Sequence, residues 1–207
     1  MTTTDTIVQP AGNYYDKYHT RNPLARMLMN GFLNAFDRLW AQTRAREVHE
    51  IGCGEGHLSL RLAARGVPVR GCDVAPEVIE EAYQNASDQA LRVPFRVASI
   101  YDLKRPGDEA ELVVCCEVLE HLPDPRHAVD ILARLASPWL LASVPREPVW
   151  RVLNICRGKY LADLGNTPGH IQHWSTAEFR DLLESRFDIV EMARPLPWSM
   201  ALCRVKS

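Results

Sequence analysis

Seven residues in mid-chain, Cys116-Glu117-Val118-Leu119-Glu120-His121-Leu122, set two carboxylates and an imidazole in an otherwise apolar run. Apolar runs are normally core, so charge placed there needs a reason. In a helix, Glu117, Glu120 and His121 would stand at i, i+3 and i+4, on one face of one turn. Such a face is either a solvated edge or a site, and carboxylates beside an imidazole can hold a divalent cation or move a proton. A second group lies earlier, in Glu50-Ile51-Gly52-Cys53-Gly54-Glu55-Gly56. Glycines there let the backbone turn sharply and approach a ligand closely. Asp73 follows twenty-one residues after Gly52, where an acid can accept hydrogen bonds from both hydroxyls of a ribose. The spacing is Gly-x-Gly-x-Gly, with His57 where a dinucleotide loop would carry its third glycine. The acid Glu50 ahead of the loop suits a cationic ligand better than a pyrophosphate.

These groups need elements to hold them. Residues 22–40 carry apolar side chains at helical spacing behind Asn22 and Pro23, a cap and a first helical position. Strands are expected at 47–51, 67–73, 94–100, 111–118 and 139–145, and helices at 57–66, 75–86, 125–136 and 176–187. The near-continuous apolar character of 111–118 fits a strand covered on both faces. Residues 188–193 and 198–205 read as a closing antiparallel pair. Strands alternating with helices imply an α/β, Rossmann-like, doubly wound sheet, mostly parallel, with that antiparallel pair at its end. Residues 1–207 are expected to form one domain, with cap helices over 1–45 and a lid insertion at 146–174; residues 1–11, small and polar, read as disordered.

Bulk properties narrow the function. A chain of 207 residues suits one well-buried domain. With 46% hydrophobic and 24% charged residues it has ordinary globular composition. A formal net charge of −2 provides no global field for nucleic acid or an anionic membrane. The start lacks a charged region followed by an apolar one, and no apolar run reaches the roughly 18 residues of a membrane span. Six cysteines without a CxxC pair or regular framework read as inert thiols in a reducing cytoplasm.

From about Glu47 to Pro145 the order and spacing resemble a class I S-adenosylmethionine (SAM)-dependent methyltransferase. The resemblance implies that Gly52, Cys53, Gly54 and Gly56 line SAM, with Glu50 behind its sulfonium end. It implies Asp73 on the ribose, Val74 against the adenine, Ser99 and Ile100 facing the adenine, and Cys116 and Glu117 beside the methionine part. Ser99 departs from the Asp usual in the family. Tyr14, Tyr15 and Tyr18 of "YYDKY" resemble a segment that folds over SAM; Tyr15 and Tyr18 are the expected contacts, and anchoring of the first helix is the other reading. "EVLEHLPDP" resembles the branch that includes ubiquinone-pathway O-methyltransferases. Together with "GNTPGHIQHWSTAEF" (165–179) it is similar to the small-RNA 2′-O-methyltransferases, whose Glu-x-x-Glu-His turn is joined by a later His four residues before a Trp. By that similarity Glu117, Glu120, His121 and His170 hold a divalent metal (Mg, Mn, Fe, Co or Zn), and His121, His170 and Glu117 serve catalysis. Trp174 and Ser175 match the later signature. In the other reading Glu117 bonds near SAM, Glu120 is solvated, His121 ends a helix before Pro123, and His170 and His173 pack in a lid loop.

The insertion at 145–166 sets an apolar stripe, Val149, Val152, Leu153, Cys156 and Tyr160, among Arg146, Arg151, Arg157 and Lys159. It reads either as a lid with solvated basic residues or as a surface for an anionic or lipid-linked acceptor, including peripheral membrane contact. The expectation is an enzyme that methylates a hydroxyl of a small-molecule or lipid-linked acceptor. The alternatives are a metal-free N- or C-methyltransferase and a SAM-binding regulatory protein without turnover. The charge balance and length argue against nucleic acid, and the loop spacing against a nicotinamide oxidoreductase.

Overall fold

The computed structural model describes residues 22–158, 160 and 163–206; Tyr14, Tyr15, Tyr18 and Lys159 lie outside them. Seven strands form one sheet in the order β3-β2-β1-β4-β5-β7-β6. They are β1 (Val48–Ile51), β2 (Val69–Asp73), β3 (Phe95–Val97), β4 (Ala110–Cys116), β5 (Ala136–Pro145), β6 (Phe187–Ala193) and β7 (Trp198–Val205). β1 to β5 pair in parallel, while β7 runs antiparallel between β5 and β6. The expected sheet is present, closing pair included.

The pleat explains how one sheet feeds two cores. Alternate residues of a strand face opposite ways. On β4, Leu112, Val114 and Cys116 enter one core, and Val113 and Cys115 enter the other. On β7, Met200 and Leu202 separate from Ala201 and Cys203 in the same manner. The first core is covered by α1 (Pro23–Thr43), α2 (His57–Ala63) and α3 (Pro76–Asp88). The second is covered by α4 (Pro125–Leu135) and α6 (Thr176–Glu184). Between them α5 (Val149–Cys156) stands in the lid insertion. Asn22 caps α1 as its position suggests, its side-chain oxygen accepting from Leu24 N at 2.9 Å, and Pro23 opens the helix. α1 buries Met29, Phe32, Phe36 and Leu39 along one stripe. Ser175 and Glu178 form a reciprocal capping box at the start of α6. No helix among the described residues is long and apolar enough to cross a membrane.

Two expectations are corrected by the backbone. β3 is shorter than 94–100, because Ser99 caps a three-residue 3-10 turn (Ile100–Asp102) that takes the chain out of the sheet. Glu117 does not share a helical turn with Glu120 and His121. β4 ends at Cys116, Glu117 takes a left-handed φ of 59°, and a separate 3-10 turn spans Leu119–His121. A residue at positive φ lies outside the right-handed helical region, so the i, i+3, i+4 geometry does not apply across it.

Phe179, on α6, is fully buried in the second core. Phe179→Ala is expected to cost about 3–5 kcal/mol of unfolding free energy in urea titration. Arg180→Ala next to it removes only a partly exposed pair with Glu184 and should cost below about 1 kcal/mol.

Candidate functional site

β2 and β3 flank β1 on one side, and β4 and β5 lie on the other. Where the strand order reverses, the connections leave on opposite faces and open a crevice above the carboxyl ends of the strands. Here it is a cleft of about 510 Å³, within the range of small-molecule pockets.

Three glycines build one end of the cleft, each for a different reason. Gly52, Gly54 and Gly56 all take left-handed φ, at 75°, 49° and 80°. A Cβ on Gly52 would lie 2.2 Å from Val118 Cγ2, so the tips of β1 and β4 meet only because that Cβ is missing. A Cβ on Gly56 would lie 2.8 Å from Phe95 Cζ; Gly56 seats α2 against the sheet and is not among the cleft-lining residues. Gly54 would meet nothing within 4 Å and borders the cleft, which leaves its backbone open to a ligand. Asp73 ends β2 beside it, and its carboxylate accepts from Gly54 N at 2.9 Å and Ala75 N at 3.1 Å. Those two bonds hold the carboxylate on the rim. Val74 is 56% exposed there, and Cys53, Ser99, Ile100 and Cys116 also line the cleft. Met29 and Phe32 of α1 close one wall.

The other end is built by the lid. Ile171 N and Gln172 N both donate to Glu120 O, at 2.9 and 3.0 Å. Gln172 Nε2 donates to Leu122 O at 3.1 Å, and His121 Nδ1 pairs with Gly169 O at 2.9 Å. These ties carry His170 to the turn after β4. The rings of His121 and His170 meet edge to face, with centroids 4.9 Å apart. Trp150 of α5 stacks on His170 at 5.7 Å, and its Nε1 donates to Thr167 Oγ1 at 2.9 Å. One ligand atom from each of Glu120, His121 and His170 lies within 4.8 Å of the others. His173 stays out of this group and pairs with Asn166 Oδ1 at 2.8 Å.

Glu117 lines the same cleft but is held separately. Ser143 Oγ donates to its Oε1 at 3.0 Å, and Trp198 Nε1 donates to its Oε2 at 2.6 Å. Trp198 is itself fixed by Phe32, centroids 5.0 Å apart, and by Trp150 at 5.9 Å. Sequence reasoning missed Ser143, Trp150, Trp198 and Phe32, since each reaches the site from a separate element and no local spacing marks it.

Electrostatics divide the acids. Glu50 is 3% exposed at the floor of the cleft and accepts a hydrogen bond from Ser59 Oγ. Burial pushes its carboxyl up to about 8, with Asp73 adding repulsion. Burial likewise raises the thiols of Cys53, Cys72, Cys115, Cys116 and Cys203, which makes them poor nucleophiles. A cation above Glu50 would favour its ionised form, so this acid can exchange a proton for a positive ligand. Without ligand, the folded state holds a proton on Glu50 that the unfolded chain releases near 4.5. Its contribution to stability is therefore complete below about 4.5 and is lost as pH rises through about 8. The unfolding free energy of Glu50→Gln relative to wild type is expected to rise between pH 5 and 8, by at most about 1.4 kcal/mol per pH unit. A pH-independent difference in chemical denaturation would refute the assignment.

Comparison with known proteins adds an independent line. Residues 48–138 match the family of methyltransferase domains. Ubiquinone biosynthesis O-methyltransferase of Xanthomonas campestris pv. campestris is 34% identical over 122 residues, which is 56% of this chain and 51% of that protein. The corresponding protein of Xanthomonas oryzae pv. oryzae is 34% identical over 121 residues, with the same shares of the two chains. The chain thus spans about half the length of the curated relatives it matches. Among solved structures, magnesium protoporphyrin IX methyltransferase from Synechocystis PCC 6803 with bound S-adenosylhomocysteine (SAH) superposes with a TM-score of 0.69 at 22% identity, over 93% of this chain and 91% of that one. The [4+2]-cyclase SpnF superposes with a TM-score of 0.67 at 15% identity, over 93% and 85%, so the fold alone does not decide a reaction. The sequence match and the switch-point cleft agree in likening residues 48–138 to a methyltransferase domain.

Proposed function

We propose that the protein transfers the methyl group of SAM to a hydroxyl oxygen of a small-molecule or lipid-linked acceptor. The observation that carries this reading is one continuous cleft with two unlike ends. One end offers Gly52, Gly54, Asp73 and Glu50, groups suited to a nucleoside with a cationic tail. The other offers Glu120, His121 and His170, groups suited to an acceptor hydroxyl. Asp73 takes the ribose hydroxyls, and Glu50 sits beneath the positive end of the cofactor. The acceptor lies between the two ends, so its oxygen is aligned with the methyl group in a site partly closed to water. His121 and His170 are placed to accept the proton that the hydroxyl loses. The relatives named above support the class of acceptor, since one group acts in ubiquinone biosynthesis and another carries a porphyrin in its name.

The same three side chains fit a divalent ion. Two imidazoles and one carboxylate form a donor set that Mg, Mn, Fe, Co or Zn accepts, with positions left open. The bond from His121 Nδ1 to Gly169 O is the kind of outer partner that orients a metal-bound histidine. Glu120 is 1% exposed, and a carboxylate at that depth requires a cation or hydrogen bonds. When bound, such an ion would lower the pKa of the hydroxyl it touches. The proposed ligand set is Glu120, His121 and His170. Glu117 is assigned instead to orientation, because Ser143 and Trp198 hold both its oxygens. The lid exposes Val152, Ile155 and Leu164, in keeping with an apolar or lipid-linked acceptor.

Methyl-labelled SAM incubated with a panel of catechols, phenols and a lipid extract should yield labelled O-methyl product. SAH binding without product from any pool would support the regulatory alternative. Asp73→Ala should weaken SAH binding by about 1–3 kcal/mol in calorimetry, the cost of losing charge-assisted hydrogen bonds; unchanged affinity would end the ribose assignment. His170→Ala should abolish Mn²⁺ uptake in a direct metal titration while sparing SAH affinity, since the cofactor rests on other residues. If exhaustive chelation leaves turnover intact, the histidines act as bases and the metal assignment falls.

A further inference from the structure

Among the described residues, the proposed purine end of the cleft has no carboxylate where the resemblance leads one to expect an Asp. Beyond Asp73, the slot that continues away from the glycine loop is lined by Val74, Val78, Ala98, Ser99, Ile100 and Tyr101. Four of these six are apolar. The Tyr101 hydroxyl is committed elsewhere: it donates to Asp124 O at 3.1 Å and accepts from Asp124 N at 3.2 Å. Asp102, the carboxylate nearest in sequence, is exposed and does not line the cleft. Of the described side chains lining this slot, that leaves the Ser99 hydroxyl, whose oxygen already accepts from Tyr101 N at 3.3 Å to start the 3-10 turn. A hydroxyl is neutral and both gives and takes hydrogen bonds, whereas a carboxylate only takes them and does so with full charge. A carboxylate rewards an exocyclic amino group more strongly than a hydroxyl does.

Resting on the reading that this cleft takes SAM, we propose that the base slot grips the purine by its faces and does not select for the 6-amino group of adenine, with Ser99 as the residue that sets this tolerance. Val74 and Ile100 supply the faces, and the ribose carboxylate of Asp73 fixes the base in depth. A cofactor whose purine carries hydrogen at position 6 loses little, because no buried charge is left without its partner. The converse follows for Ser99→Asp. The new side chain keeps the capping oxygen that the turn uses and adds an acceptor for the amino group.

Calorimetric titration of the full chain with SAH and with its 6-deamino analogue, in which purine replaces adenine, tests this without any acceptor. The two dissociation constants of the wild-type protein are expected to agree within about threefold, as for loss of one neutral, solvent-reachable hydrogen bond. Ser99→Asp should widen that ratio at least about tenfold in favour of SAH, on the scale of a charge-assisted bond. A wild-type preference of tenfold or more for SAH overturns the proposal, as does an unchanged ratio in Ser99→Asp. Should the variant not fold, the wild-type ratio decides alone. Binding of neither compound to folded wild-type protein would remove the cofactor reading and this proposal together, whereas tight SAH binding with rejection of the analogue removes only the latter.

Discussion

Two backbone amides, those of Ile171 and Gln172, converge on one carbonyl, Glu120 O. This small tie joins the lid to the turn after β4 and helps to shape the histidine end of the cleft. His170 and His121 lie on segments with no shared strand or helix, so ties between those segments are what bring the two rings together. The neighbouring bond from His121 to Gly169 O and the stacking of Trp150 on His170 add direction to what the amides bring near. Backbone donors and acceptors must find partners in a packed structure. The lid therefore docks in part through backbone groups that side-chain substitution leaves in place.

The two ends of the cleft thus differ in kind. The glycine loop, Asp73 and Glu50 sit on β1 and β2, deep in the sheet, with geometry set by strand pairing. The histidine cluster sits on a 3-10 turn and an insertion. Rigid strands suit a cofactor common to many enzymes, and an insertion suits an acceptor that differs among them. Glu117 stands between, at positive φ, its carboxylate spanned by Ser143 of β5 and Trp198 of β7.

Much of this was legible in the sequence, for stated reasons. The sheet was readable because β4 is apolar on both faces and because strands and helices alternate. The glycines and Asp73 were readable because a tight turn, close packing and a strand-end acid each call for a residue type at a fixed offset. The meeting of His170 with Glu120 and His121 was accessible only through resemblance, since it depends on a lid docking that no local period encodes. Glu117 was legible at the end of β4, whereas the helical spacing that would set it on one face with Glu120 and His121 is broken by its left-handed φ, which carries no mark of its own. Trp198 and Ser143 stayed hidden because cross-strand partners are set by register, and the register of β7 against β5 is set by the whole sheet. The N-terminal tyrosines lie outside the described residues.

The position of β7 has a consequence in time. It is the last described strand in the chain, yet it pairs between β5 and β6 and brings Trp198 to the Glu117 carboxylate. A ribosome delivers β1 to β5, the glycine loop and the histidines first, and the indole that completes the Glu117 grip arrives only after β6 has emerged. β5 meanwhile waits with an open edge, the kind of surface that invites pairing with another chain. During synthesis the molecule would hold the glycine end of its crevice before the Glu117 grip is complete, and β7 decides when that grip closes.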